Sequence, residues 1–201
     1  MSRNRLLALL LVCLALPLTI AACGGDDDGG GNDEEEITEV IETAATSTDP
    51  ADCTELQTQA FLDQTEVADG EEAVAECEES AEDPSGNPDS VEVTDVSVDG
   101  DEATASMTPT GSSLDGQTLE VALVKEDDQW KLDEFVDIPE FDAEAYVTNL
   151  AAEIDESGEL QDARGVCFGE QLALTPEEQL KALALGDSDI LFDLFATCGI
   201  E

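Results

Sequence analysis

The sequence predicts an α+β fold in which three helices precede a four-stranded antiparallel meander, followed by a small disulfide-stapled helical domain. Three observations carry this. Apolar residues first recur at helical spacing, then alternate strictly after a proline- and glycine-bearing stretch at residues 82–90, and return to helical spacing beyond residue 138. The period changes twice, so the chain divides into helix, sheet and helix.

Ile37, Val40, Ile41, Ala44 and Ala45 follow the i, i+3, i+4, i+7, i+8 pattern of a one-faced helix that stops near Asp49-Pro50. A second helix is expected from Asp52 or Cys53 to about Val67, with Leu56, Ala60 and Phe61 inward. A third, from Gly70 to about Ser80, carries Ala73, Val74 and Cys77 on one side. Pro84 and Pro88 exclude helix through residues 82–90. Val91 and Val93, then Val96 and Val98, form a strand whose phase slips by one at Thr94-Asp95, as a bulge would cause. Asp99-Gly100 signals a hairpin, and Ala103, Ala105 and Met107 alternate in the return strand. Leu119, Val121 and Leu123 alternate next, and Glu126-Asp127-Asp128 turns the chain toward Trp130 and Leu132.

Residues 139–201 read as helical. Tyr146, Val147, Leu150, Ala151 and Ile154 share a face, and a shorter helix surrounds Cys167. Thr175-Pro176-Glu177-Glu178 has the form of a capping box with proline at the first helical position. Ser188 is expected to cap a last helix carrying Ile190, Leu191, Leu194, Phe195 and Cys198. So short a segment needs its disulfide and packing on the preceding domain.

Ahead of all this, Arg3 and Arg5 precede an apolar run from Leu6 to Ile20, which closes on Ala21-Ala22-Cys23. The run is too short for a spanning helix and lacks a stop-transfer flank. Ile20-Ala21-Ala22-Cys23 resembles a bacterial lipobox. The resemblance implies a signal peptide over residues 1–22, lipid attachment at Cys23, and anchorage on the extracytoplasmic face of the cell membrane. Acyl chains gain about 0.8 kcal/mol per buried methylene, so two or more anchor far better than one. Residues 24–36, GGDDDGGGNDEEE, cannot bury apolar surface and are expected to be a disordered tether, so 23–36 is a spacer and structure begins at Ile37.

The formal net charge is −45, from 51 acidic residues against six basic ones. Every acid follows residue 22, where only Lys125, Lys131, Arg164 and Lys181 oppose them. Such a field repels nucleic acid and anionic lipid alike, which excludes nucleic-acid binding. No acidic stretch continues into a calcium loop, and the chain has no histidine, so no metal or cofactor is expected. Without histidine there is also no Ser-His or Cys-His pair, and no catalytic residue is expected. Trp130 reads as core, and Arg164 as one half of a local ion pair.

With Cys13 in the signal and Cys23 reserved for lipid, Cys53, Cys77, Cys167 and Cys198 remain. An even set in an exported chain favours disulfides over a redox pair, for which no Cys-x-x-Cys exists. Of three connectivities, 53–77 with 167–198 keeps each bridge inside one proposed domain.

The element order over residues 37–138, with Leu123-Val124-Lys125-Glu126-Asp127-Asp128-Gln129-Trp130-Lys131-Leu132-Asp133 near its end, resembles the NTF2-like superfamily. More narrowly, it is similar to the small extracytoplasmic NTF2-like domains of actinobacterial lipoproteins. The resemblance implies a curved sheet wrapped around a long helix, leaving a cavity. Enzymes, carriers and interaction modules all use that frame, so it does not choose a function. Members that are isomerases use a cavity acid with Tyr or His, whereas the single tyrosine here, Tyr146, lies outside the NTF2-like part. The expected function is a non-enzymatic, membrane-anchored interaction or scaffold module that binds a protein or cell-wall partner, or a second copy as a homodimer. The alternative is a carrier or sensor of a small apolar ligand, favoured by an open cavity.

Overall fold

The computed structural model describes residues 30–82, 86–157 and 163–200. The expected signal peptide, Cys23 and the first residues of the expected tether lie outside the described residues. The fold is α+β, and the sheet is a four-stranded antiparallel meander in the order β1-β2-β3-β4. Its strands are β1 (Ser90–Asp99), β2 (Glu102–Thr110), β3 (Leu119–Glu126) and β4 (Gln129–Asp137). Ala103, Ala105 and Met107 pair with Leu123, Val121 and Leu119, so their buried side chains share one face. The other face is mostly polar, with Thr104, Ser106, Thr108 and Glu120, and it leaves Val136 exposed. The expected bulge lies in β1: the register shifts between Thr94 and Ser97, and Asp95 takes a φ of 53°.

Helix α1 (Gly30–Thr46) packs on β1 and β4. Ile37 and Ile41 are fully buried, and Val40, Ala44 and Ala45 pack partly against the same core. The helix starts seven residues before Ile37, which corrects the expected tether over its second half. The reason is a tertiary partner: Asp33 accepts hydrogen bonds from Lys125 Nζ at 2.7 Å and from Trp130 Nε1 at 3.1 Å. Asp33 also stands in the first turn, where a carboxylate complements the helix dipole.

The single helix expected from Asp52 to Val67 is two, α2 (Asp52–Glu55) and α3 (Gln59–Thr65), so among the described residues four helices precede the sheet, not three. Between them Gln57 pairs in parallel with Leu132. Thr58 N donates to Leu132 O at 2.8 Å, and Leu132 N donates to Leu56 O at 2.9 Å. An edge strand with unpaired groups is a liability, and here the linker covers it. Gln64 extends the cover, since its amide donates to Phe135 O at 2.9 Å and accepts from Phe135 N at 2.8 Å. Thr58 Oγ1 caps α3 by accepting from Phe61 N. Helix α4 (Glu71–Glu82) follows, with Ala73 and Cys77 buried.

The C-terminal helices are α5 (Ala143–Ser157), α6 (Ala163–Leu172), α7 (Glu177–Ala184) and α8 (Ser188–Cys198). Tyr146, Phe168, Leu172, Leu180 and Ala184 belong to the same buried cluster as the sheet. Gln117, 2% exposed, ties α5 to the sheet by donating to Asp142 O and accepting from Asp142 N. Thr175 does not cap α7: its hydroxyl donates back to Gln171 O at 3.0 Å, leaving Pro176 at the cap without a side-chain bond. Asp187, not Ser188, holds the cap position of α8, and it makes no side-chain cap bond.

Candidate functional site

Both bridges are formed, Cys53–Cys77 with Cα atoms 6.0 Å apart and Cys167–Cys198 with 5.7 Å. The second staples α6 to α8. The first ties α2 to α4 over a small separate core of Leu62, Ala73 and Val74, and it also stands in the wall of a cavity.

That cavity, of about 380 Å³, opens between the helices and the buried face of the sheet. Its apolar wall is built by Phe61 of α3, Met107 and Pro109 of β2, Leu132 and Phe135 of β4, and Leu114 of the following loop. Ala44 and Ala45 close one side from α1, and Ala81 another from α4. The rings of Phe61 and Phe135 meet edge to face, with centroids 4.9 Å apart. The Gln64 clamp fixes the backbone beneath Phe135, so this wall is held from behind.

The polar rim is ordered by short-range bonds. Ser47 Oγ donates to Asp52 and accepts from Asp49 N at 3.0 Å, while Asn87 Nδ2 donates to Ser47 O at 3.2 Å. Among the described residues three carboxylates line the cavity, Asp49, Asp52 and Glu66, and no lysine or arginine does. Glu66 is half-buried. Burial pushes its carboxyl above the ordinary value, and the nearby Glu76 carboxylate pushes the same way.

A groove of similar volume runs between α1, α2 and the β3–β4 turn. Glu36, Glu39, Glu55 and Asp128 rim it over Val40, Leu56 and Trp130. Trp130 itself is 2% exposed and belongs to the core, with Lys125 Nζ 5.1 Å above its ring. The hydrogen bond from Lys125, then that from Trp130, lowers the Asp33 carboxyl, and Asp33 in turn raises Lys125.

The sign of the pH dependence follows. The lowered Asp33 contributes stability above its unfolded value of about 3.9, lost as pH falls through the folded value. The raised Lys125 contributes below about 10.4, lost as pH rises through its folded value. The tie of α1 to the hairpin therefore holds across that whole window. Trp130 is the only tryptophan, so its emission reports the tie directly. We expect an acid transition in that emission, and Lys125→Met moves its midpoint to higher pH. Equal midpoints in the two proteins would show that the pair does not govern it.

Among the described residues no cluster of three or more His, Cys, Asp or Glu side chains is placed to hold a metal ion. Tyr146 is buried, and burial, then Glu153, drives its phenol further up, away from any role as a base near neutrality. Arg164 is exposed on α6. Neither residue lines the cavity.

Helices, a meander and a cavity between them define an α+β domain of the pocket-bearing kind. The chain belongs to the family described as low molecular weight antigen MTB12, C-terminal domain, which matches residues 33–134, just over half of its length. The match begins at Asp33, the residue that ties α1 to Lys125 and Trp130, and ends at Glu134 within β4. No curated protein and no solved structure matches the chain.

Proposed function

We propose that this chain is a non-enzymatic, lipid-anchored extracytoplasmic protein whose NTF2-like cone carries or senses a small, largely apolar molecule. The observation that carries this is the cavity of about 380 Å³ walled by Phe61, Met107, Leu132 and Phe135. Small-molecule sites are concave, mostly apolar clefts of about 300–1,000 Å³ with a few polar groups. Membership of an antigen family fits an exported protein, and two disulfides fit an oxidising compartment. The test is native mass spectrometry of the protein purified from its own envelope. A bound small molecule that is lost in Ala81→Trp, where the indole fills the cavity, supports the reading. An empty wild-type protein that also fails to bind an environment-sensitive apolar dye overturns it.

The anchor is tested separately. Cys23→Ala is expected to move the protein from the membrane fraction to the soluble extracytoplasmic fraction and to abolish acyl labelling. Continued membrane retention would remove Cys23 from its role.

A second reading, an interaction module with a protein or cell-wall partner, is favoured by one observation. Helices α6 and α8 leave Val166 65% and Phe192 47% exposed, and Leu174 just beyond α6 is 77% exposed. A homodimer would bury these exposed apolar side chains. Sedimentation of wild type against Phe192→Ser distinguishes the two: a dimer that dissociates in the variant supports this reading.

A further inference from the structure

We infer that the cavity selects a cationic amphiphile, a small molecule with an amine head and a short apolar body, and rejects carboxylates. The inference rests on the binding reading and names the ligand class for the same site. Its basis is the asymmetry of the wall. Phe61, Met107, Leu132 and Phe135 supply apolar and aromatic surface, while among the described residues every charged group that lines the cavity is a carboxylate: Asp49, Asp52 and Glu66.

Asp49 and Asp52 are occupied at the rim, accepting from Ala51 N and Ser47 Oγ respectively. Glu66 differs. It is half-buried, and after burial itself the charge that acts on it is another acid, Glu76, whose carboxylate accepts from Val67 N. A partly buried carboxylate without a cation beside it is unfavourable. An ammonium entering the cavity would relieve that cost through a charge-assisted hydrogen bond. The edge-to-face Phe61–Phe135 pair offers ring surface to the same cation. A fatty-acid-like anion meets the opposite: three acids in the wall, and a chain of net charge −45 around it.

The experiment uses the full mature chain with Cys23→Ser, which removes the acyl anchor and the need for detergent. Three probes of equal chain length are titrated calorimetrically near physiological salt: hexylamine, hexanol and hexanoate. The expected order is amine tighter than alcohol by about tenfold or more, with no binding of the carboxylate. Glu66→Gln keeps the shape of the wall and is expected to remove about tenfold of amine affinity while leaving the alcohol unchanged. Ala81→Trp fills the cavity without altering surface charge, and Ser80→Trp at the rim serves if that variant misfolds. Amine binding that survives the filled cavity would be counterion attraction to the acidic surface and would overturn the inference. Equal binding of amine and carboxylate also overturns it, and leaves the binding reading standing. Failure of all three probes overturns both.

Discussion

Gly186→Ala is expected to lose about 3–4 kcal/mol of stability, far more than a surface substitution. Two independent costs meet at this position. Its φ of +103° lies beyond the ordinary left-handed region and is nearly closed to residues with a side chain. A Cβ built there would also overlap the backbone carbonyl oxygen of Gln64, at the C-terminal end of α3. That oxygen cannot swing aside as a side chain could. Moving it drags Gln64, whose amide holds both backbone groups of Phe135 on the open edge of β4. The α7–α8 turn is thus pressed against the residue that seals the sheet. Gly111→Ala is the control. Its φ is +82°, but the added Cβ meets only the Asp89 side chain, whose carboxylate can rotate away and whose Cβ at 3.2 Å need give by only a few tenths of an ångström, so the cost is about 1 kcal/mol. Urea titrations read by Trp130 emission measure both. A Gly186→Ala loss no larger than that of Gly111→Ala would show that the turn does not bear on α3.

What the sequence reveals here depends on how far away the deciding partner lies. The meander is legible because alternation and turn residues are local, and even the bulge at Thr94-Asp95 shows as a slip in apolar phase. The α1 face is legible for the same reason: Ile37 and Ile41 are in register with a helix whatever they pack on. The start of that helix is not. Asp33 sits in a run of glycine and acid that argues for disorder, and its partner Lys125 is 92 residues away. The break between α2 and α3 is equally invisible, because it answers the need of β4 for an edge partner and no local glycine or proline marks it. Gln64 and Gln117 look like ordinary polar residues until the backbone groups they satisfy are placed beside them. Glu66 is one acid among 51, and only burial in the cavity wall separates it from the rest. At Thr175 a strong local motif failed, since its hydroxyl found the Gln171 carbonyl first. Local rules place the elements, and the site is made by contacts between them.

Removing the two disulfides is expected to have unequal consequences, although chain entropy alone treats them nearly alike. The bridges close separations of 24 and 31 residues, for which loop closure gives roughly 3–4 kcal/mol each. The difference lies in what each bridge holds. Cys53 and Cys77 are themselves buried, together with Leu62 and Ala73, and they form part of the cavity wall. Replacing both with alanine loosens α2 and α4 from α3, whose Gln64 and Thr58 cover β4, so the loss spreads into the sheet. We expect the full 3–4 kcal/mol in a global unfolding transition, with weakened binding of any cavity probe. Helix α8 is a different case. None of its residues is buried, and it is held by Cys198, the Phe168–Phe195 ring contact at 5.3 Å and partial packing of Leu191 and Leu194. Without Cys167–Cys198 it is expected to open locally, because few buried contacts oppose its release. Hydrogen exchange resolves the two outcomes. The Cys167→Ala/Cys198→Ala variant should lose protection in α8 while β2 and β3 keep theirs. The Cys53→Ala/Cys77→Ala variant should lose it in β4 and α3 together. Equal loss of sheet protection in both would mean that α8 belongs to the same cooperative unit as the meander, and that its half-exposed apolar face contributes far more than its burial implies.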